Sequence, residues 1–185
     1  TTTLAVLALV ADAAVIAAVV IFIAAQISPQ AAGAVDRARD ALSPLALGAS
    51  WAVAAIATSG SLYLSEGIAF APCRLSWYQR IAMYPLVLIL GIAVLRADVR
   101  VRRYAIPLAG AGAIISLYHY QLERFPSQAS FSCTLEVPCS VTLFTRIGFI
   151  SIPWMALSAF LLIVVLLSAA GPLGEEAMHA EAVTE

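Results

Sequence analysis

The chain has 185 residues, of which 62% are hydrophobic and 11% charged, and its formal net charge is −1. Soluble domains carry about 25% charged residues, so this composition excludes an ordinary soluble domain and is typical of a helical membrane protein. All ten basic residues are arginines. Since no basic stretch is interleaved with aromatic residues, we expect no nucleic-acid partner.

Five apolar segments follow one another along the chain, each near the roughly 20 residues that cross a bilayer as a helix. They are residues 4–27, 45–68, 77–95, 104–122 and 149–170. Only helices satisfy every backbone polar group within a single crossing. The sequence therefore predicts an all-α integral membrane protein in contact with lipid.

The first segment is longer than the apolar region of a secretory signal, and no basic residue precedes it. We therefore interpret residues 1–28 as a retained transmembrane helix. Asp12 lies inside this segment, where a carboxylate is costly in lipid. We expect Asp12 to make a polar contact between helices.

The arginines between the segments predict the orientation of the chain. They are concentrated in residues 29–44, interpreted as a short helix on the cytoplasmic surface, and in the stretch RADVRVRR at 96–103. The positive-inside rule places both connections in the cytoplasm of a bacterial cell. The N-terminus and the loops 69–76 and 123–148 are then outside, and the acidic tail 171–185 is cytoplasmic.

All three cysteines, Cys73, Cys133 and Cys139, fall in these outer loops, a compartment where bacterial disulfides persist. An odd cysteine there indicates a reactive thiol or an intermolecular bond. Cys73 precedes a helix whose N-terminal dipole favours a thiolate. Arg80 lies in the outer turns of that helix, where it is either a functional residue or a side chain reaching lipid phosphates.

The stretch APCRLSWYQRIAMYPLVLILGI resembles the disulfide bond formation protein B (DsbB) family, in particular its BdbC type. The family pattern is Pro-Cys-x-x-Cys-x-Tyr-x-Arg. Cys73, Tyr78 and Arg80 match it, and Ser76 stands in the place of the second cysteine. The similarity continues through SLYLSEG, ISLYHYQLERFP, CTLEVPC and GFISIPWMALSAF.

This resemblance implies a four-helix transmembrane redox bundle, here residues 45–170, with residues 1–28 as one extra N-terminal transmembrane helix. It also implies a quinone-dependent thiol oxidase. Such an enzyme reoxidises an extracytoplasmic thioredoxin-like oxidoreductase of the DsbA type and passes two electrons to membrane quinone. The Gram-positive character of the resemblance favours menaquinone over ubiquinone.

The resemblance also assigns a thiol relay. Cys133 would form the mixed disulfide with the partner, and Cys139 would attack the motif disulfide at Cys73. The residue at position 76 would be the thiolate released toward the quinone.

Three further residues would bind the quinone in this scheme. Arg80 would hold it and favour the anion, His119 would line its pocket, and Tyr78 matches the motif beside them. Without the resemblance, His119 would be interpreted as a packed histidine of the bundle. No metal site is predicted.

Ser76 interrupts this relay, because a hydroxyl can form neither a disulfide nor a low-pKa thiolate. With the rest of the motif intact, we favour an engineered Cys-to-Ser change over a natural variant, and expect the family route to be stalled. Cys73 would then pair with Cys139. A Cys133–Cys139 disulfide is the alternative.

Two other functions remain open from the sequence. A vitamin K epoxide reductase-like protein also has a quinone-reactive four-helix bundle, but its Cys-x-x-Cys motif comes late, whereas here the motif comes first. A non-catalytic membrane subunit with structural disulfides is the second alternative.

Overall fold

Long α-helices make up the fold. The structure is a computed structural model that describes residues 2–67, 71–128, 139 and 150–169. Within these residues there are five α-helices: α1 (Thr2–Ile27), α2 (Pro29–Leu62), α3 (Arg74–Arg96), α4 (Arg102–Arg124) and α5 (Ile152–Ala169). A π-helical turn, Tyr63–Gly67, extends α2, and the short 3-10 turns Val99–Val101 and Pro126–Gln128 flank α4. The predicted all-α class is confirmed.

Helices α2 to α5 form a closed ring. α2 packs on α3, α3 on α4, α4 on α5, and α5 returns to α2. α1 lies outside this ring, in the groove between α2 and α5. The ring is the predicted four-helix bundle.

Four helical stretches of the described residues are long and apolar enough to cross a membrane. They are Ala5–Ile27, Val35–Gly67, Arg74–Arg96 and Ile152–Ala169. The fourth predicted span, residues 104–122, forms most of α4, but α4 is not among these stretches. Its last turns carry polar and charged residues, including His119, Gln121 and Glu123, which lower its mean hydropathy.

The predicted surface helix 29–44 and the predicted span that begins at residue 45 form one continuous helix, because α2 runs through Pro44. Residues 29–44 are rich in alanine, the strongest helix former, and the one backbone hydrogen bond that a proline removes does not end the helix here. Arg39 Nη2 donates to the backbone oxygen of Ser168 at 3.1 Å. This segment is therefore the first half of α2 and contacts the end of α5, rather than being a separate surface helix.

Small residues allow the helices of the bundle to approach closely, as is common between membrane helices. One face of α4 is buried and carries the small residues Ala105, Ala109 and Gly112. At Gly112 the ring of Phe160 from α5 occupies the space that a Cβ would need, and Phe160 is fully buried. The α4–α5 contact depends on the absence of a side chain at this position.

Asp12 joins α1 to α5. Its carboxylate accepts hydrogen bonds from Trp154 Nε1 at 2.8 Å and from Ser158 Oγ at 2.5 Å. The expected polar contact between helices is confirmed. Because an unpaired carboxylate is unfavourable in lipid, these two bonds favour a docked position for α1.

Candidate functional site: a thiol cluster at the end of an apolar cavity

Cys73 is the residue immediately before α3. Its backbone is extended, with φ −71° and ψ 172°, and its carbonyl oxygen accepts the first helical hydrogen bond, from the Trp77 amide at 3.1 Å. The side chain is 7% exposed. Its sulfur lies 3.7 Å from Ser76 Oγ, one helical turn away. The N-terminal end of α3 therefore holds a buried thiol where the helix dipole favours negative charge.

His119 of α4 faces this thiol. Its Nε2 lies 3.6 Å from Cys73 Sγ, and its Nδ1 lies 3.3 Å from the side-chain nitrogen of Gln79. Nε2 faces the thiol, and it carries a proton both in the neutral tautomer in which Nδ1 accepts from Gln79 and in the charged imidazolium. His119 can then donate a hydrogen bond to the sulfur of Cys73.

Cys139 completes the cluster. Its side chain is 2% exposed and packs with Cys73, Leu75 and Leu122. The side-chain ligand atoms of Cys73, His119 and Cys139 all lie within 4.8 Å of one another. This spacing could also hold a metal ion, although the motif predicts a thiol relay. The structure thus brings together the two cysteines that we expect to pair, as two buried thiols.

The environment of Cys73 favours its thiolate. Burial raises the pKa of the Cys73 thiol, but hydrogen bonds with His119 and Cys139, the charge of His119 and the Ser76 backbone together outweigh it and lower the pKa from 9.0 to about 6. Thiolates rather than thiols are the nucleophiles in disulfide exchange. Cys73 is therefore suited to thiol chemistry at neutral pH.

Arg80 lies one turn beyond Ser76 on α3. Its Nη2 donates to the backbone oxygen of Ser61 at 3.1 Å, and its guanidinium carbon lies 5.3 Å from the centroid of the Trp77 ring. The side chain is half-buried, and its hydrogen bond with Ser61 connects it to the end of α2. This arrangement differs from a side chain that extends freely to lipid phosphates.

A cavity of about 310 Å³ connects these groups with the interior of the helix bundle. We call its polar end the thiol end; it consists of Cys73, Ser76, Gln79, Arg80, His119, Glu123 and Cys139. The remaining lining is predominantly apolar and comes from α1, α2, α3 and α5. Cavities of roughly 300–1,000 Å³ with apolar walls and a few convergent polar groups are typical small-molecule sites. A quinone ring with an apolar tail fits this distribution of polar and apolar groups.

The structure unites most of the predicted site residues but not all of them. The same cavity is lined by Cys73, Ser76, Arg80, His119 and Cys139. Tyr78 does not line it, and its side chain is 47% exposed. Cys133 lies outside the described residues.

Two residues of the thiol end were not predicted. Gln79 is 6% exposed and orients His119, and Glu123 lines the cavity from the last turn of α4. A glutamine in the first turns of an apolar helix was the available sequence signal for Gln79. Glu123 had no such signal, because a charged residue at a helix end is ordinarily solvated.

Comparisons with known proteins agree with the geometry. The family described as "Disulfide bond formation protein DsbB" matches residues 41–169. "Disulfide bond formation protein C" of Bacillus subtilis is 52% identical over 118 residues, covering 63% of this chain and 86% of the relative. "Probable disulfide formation protein C 1" of Bacillus cereus is 48% identical over 122 residues, covering 65% and 87%. No solved structure matches the chain significantly.

Proposed function

The chain belongs to the DsbB family of disulfide bond formation proteins, and from this membership we propose that it is a quinone-dependent thiol oxidase of the bacterial plasma membrane. It would reoxidise a thioredoxin-like disulfide donor outside the cytoplasm and so support disulfide formation in exported proteins. Membership in the family makes the chain a membrane disulfide-forming oxidoreductase. The quinone, the soluble partner and the orientation in the membrane belong to the proposal.

The observation that carries the proposal is the position of Cys73 at the thiol end of an apolar cavity. When bound, a quinone supplies the acceptor for two electrons and two protons. Arg80 would hold its ring and stabilise negative charge beside it, while His119 would keep the sulfur of Cys73 ionised. The apolar walls exclude water from the acceptor and accommodate its tail. We favour menaquinone as the quinone.

The proposed thiol relay uses cysteines from two different loops in sequence. Cys133 would exchange with the partner, which is reoxidised while the Cys133–Cys139 disulfide is reduced. Cys139 would then attack Cys73 in the motif disulfide of the family, forming a Cys73–Cys139 bond and releasing the thiolate at position 76. The short separation between Cys73 and Cys139 supports this transfer.

Ser76 removes the last member of this relay. A serine cannot form the motif disulfide with Cys73, so the family route has no bond for Cys139 to cleave. The 3.7 Å separation of Cys73 Sγ and Ser76 Oγ is consistent with two side chains that would be bonded if both were cysteines. We propose that the chain is stalled on the family route as it stands.

Restoring the thiol tests this function. The Ser76→Cys variant, mixed anaerobically with menaquinone and a reduced thioredoxin-like donor, should form one quinol for each donor dithiol oxidised. Ser76→Ala is the matched control, since it changes the same position without adding a thiol, and should form none by this route. Absence of quinol from a folded Ser76→Cys protein would contradict the proposal and favour a non-catalytic membrane subunit.

A further inference from the structure

α1 lies outside the part of the chain that matches the family, which begins at residue 41. Nevertheless it forms one side of the cavity that contains the thiol end. We call this side the α1 wall; it consists of Leu7, Ala8, Val10, Ala11 and Ala14. An element from outside the family match therefore contributes directly to the candidate site.

The α1 wall has a defined position against the ring. Asp12 accepts two hydrogen bonds from Trp154 and Ser158 of α5. Ala5, Ala8 and Ala11 are buried, and their small side chains let α1 approach its neighbours closely. This combination holds α1 in the α2–α5 groove.

The α1 wall also differs in chemistry from the thiol end. Its five residues are all apolar, and they extend over about 10 Å of helix at 1.5 Å per residue. The neighbouring helix α5 contributes Ala156, Ala159 and Phe160 to the same lining. The space along these apolar residues suits a flexible hydrocarbon chain whose polar head lies at the thiol end.

We propose that α1 forms the wall of a tail-binding channel, which holds the apolar isoprenoid tail of the quinone against α2 and α5. The inference rests on the proposed quinone function and adds a binding subsite to it. The α1 wall would determine how tightly a tailed quinone binds and which tails are accepted. The headgroup contacts would remain with the α2–α5 ring.

Two neighbouring alanines of α1 provide a matched test. Ala14 lines the cavity, Ala13 does not, and both are exposed on the helix. Ala14→Leu should therefore narrow the channel, while Ala13→Leu adds the same volume on a surface away from it. One added or missing methylene in an apolar pocket changes affinity about 10-fold or more.

The full chain in lipid nanodiscs is titrated with menaquinone and with a tailless naphthoquinone, and binding is measured by quenching of tryptophan fluorescence. Ala14→Leu should weaken binding of menaquinone about 10-fold and leave that of the tailless quinone nearly unchanged. Ala13→Leu should bind both as the parent chain does. The inference would be overturned if Ala13→Leu and Ala14→Leu weakened menaquinone binding equally. It would also be overturned if Ala14→Leu weakened the binding of menaquinone and of the tailless quinone equally.

Competition distinguishes an isoprenoid tail from a lipid acyl chain. An isoprenoid alcohol without a quinone ring should displace menaquinone from the parent chain, and should do so less well from Ala14→Leu. If added free fatty acid displaced menaquinone as effectively as the isoprenoid alcohol does, the channel would not be specific for an isoprenoid tail. If neither quinone binds any form of the protein, the proposed function itself fails, whereas binding of both with no tail effect rejects only the role of α1.

Discussion

The thiol end and the α1 wall enclose the same cavity but are built from different kinds of residue. The thiol end combines ionisable and hydrogen-bonding side chains from α3 and α4 with the two cysteines Cys73 and Cys139. The α1 wall contains only alanine, leucine and valine. The thiol end lies within the family match and the α1 wall lies outside it. The comparison indicates that the chemistry belongs to the four-helix ring, while α1 affects the shape of the space beside it.

The largest effect is expected at the thiol end, from His119→Ala. The variant loses the hydrogen bond and the charge that lower the pKa of Cys73, so this pKa should rise from about 6 toward 9.0. The parent thiolate is present above pH about 6 and is lost as the pH falls through that value. At neutral pH, alkylation of Cys73 by iodoacetamide should therefore slow about 30-fold in the variant.

Peptide mass spectrometry of the fully reduced protein measures this rate as a function of pH. Ser116→Ala is the matched control, because Ser116 is another buried polar residue of α4 and donates within its own helix, to the Gly112 carbonyl at 2.8 Å. Its alkylation profile should match that of the parent. An unchanged midpoint in His119→Ala would show that the histidine does not stabilise the thiolate.

The next largest effect is expected from the packing between α4 and α5, two helices of the bundle that supports the thiol end. Gly112→Ala places a methyl group where the ring of Phe160 lies, and overpacking of this kind costs about 1–3 kcal/mol. In Gly110→Ala, on the same helix, the added methyl group meets no atom of the described residues within 4 Å, so this substitution should be neutral or stabilising. Thermal unfolding in detergent compares the two. Equal melting temperatures would contradict a close α4–α5 contact at Gly112.

A smaller effect is expected from Arg80→Gln, measured in the Ser76→Cys background. Loss of the cation at the thiol end should raise KM for quinone about 10-fold, as expected when a hydrogen bond to a charged group is removed. Arg74→Gln is the matched control, since Arg74 is an exposed arginine of the same helix and lies off the cavity. A similar rise in both variants would indicate a general effect of surface charge.

Much of the fold is predictable from the sequence because apolar helices have a clear signature. The segments 4–27 and 77–95 agree closely with α1 and α3. The separate helix expected at residues 29–44 is instead the first half of α2, because a proline weakens a helix locally but does not end this one. The sidedness of the membrane stays a prediction.

The candidate site is less accessible to sequence reasoning. Cys73 directly precedes α3 and Arg80 lies in its second turn, so their position at the same end of one helix follows from the spacing. The contact between His119 and Cys73 joins residues far apart in sequence, and the family resemblance predicted only that His119 lines the quinone pocket. Gln79 was missed because its role depends on that long-range contact. The α1 wall could not be foreseen, since apolar periodicity does not specify which groove a helix occupies.

The most direct test of the account is to locate the quinone. A photoreactive naphthoquinone with an isoprenoid tail is irradiated with the full chain in nanodiscs, and the labelled peptides are identified by mass spectrometry. The account predicts labelling at the start of α3, around Cys73 and Arg80, and along the α1 wall, with both sites protected by excess menaquinone. Labelling confined to exposed positions away from the cavity, such as Ile114 and Tyr104, without protection by menaquinone, would contradict it.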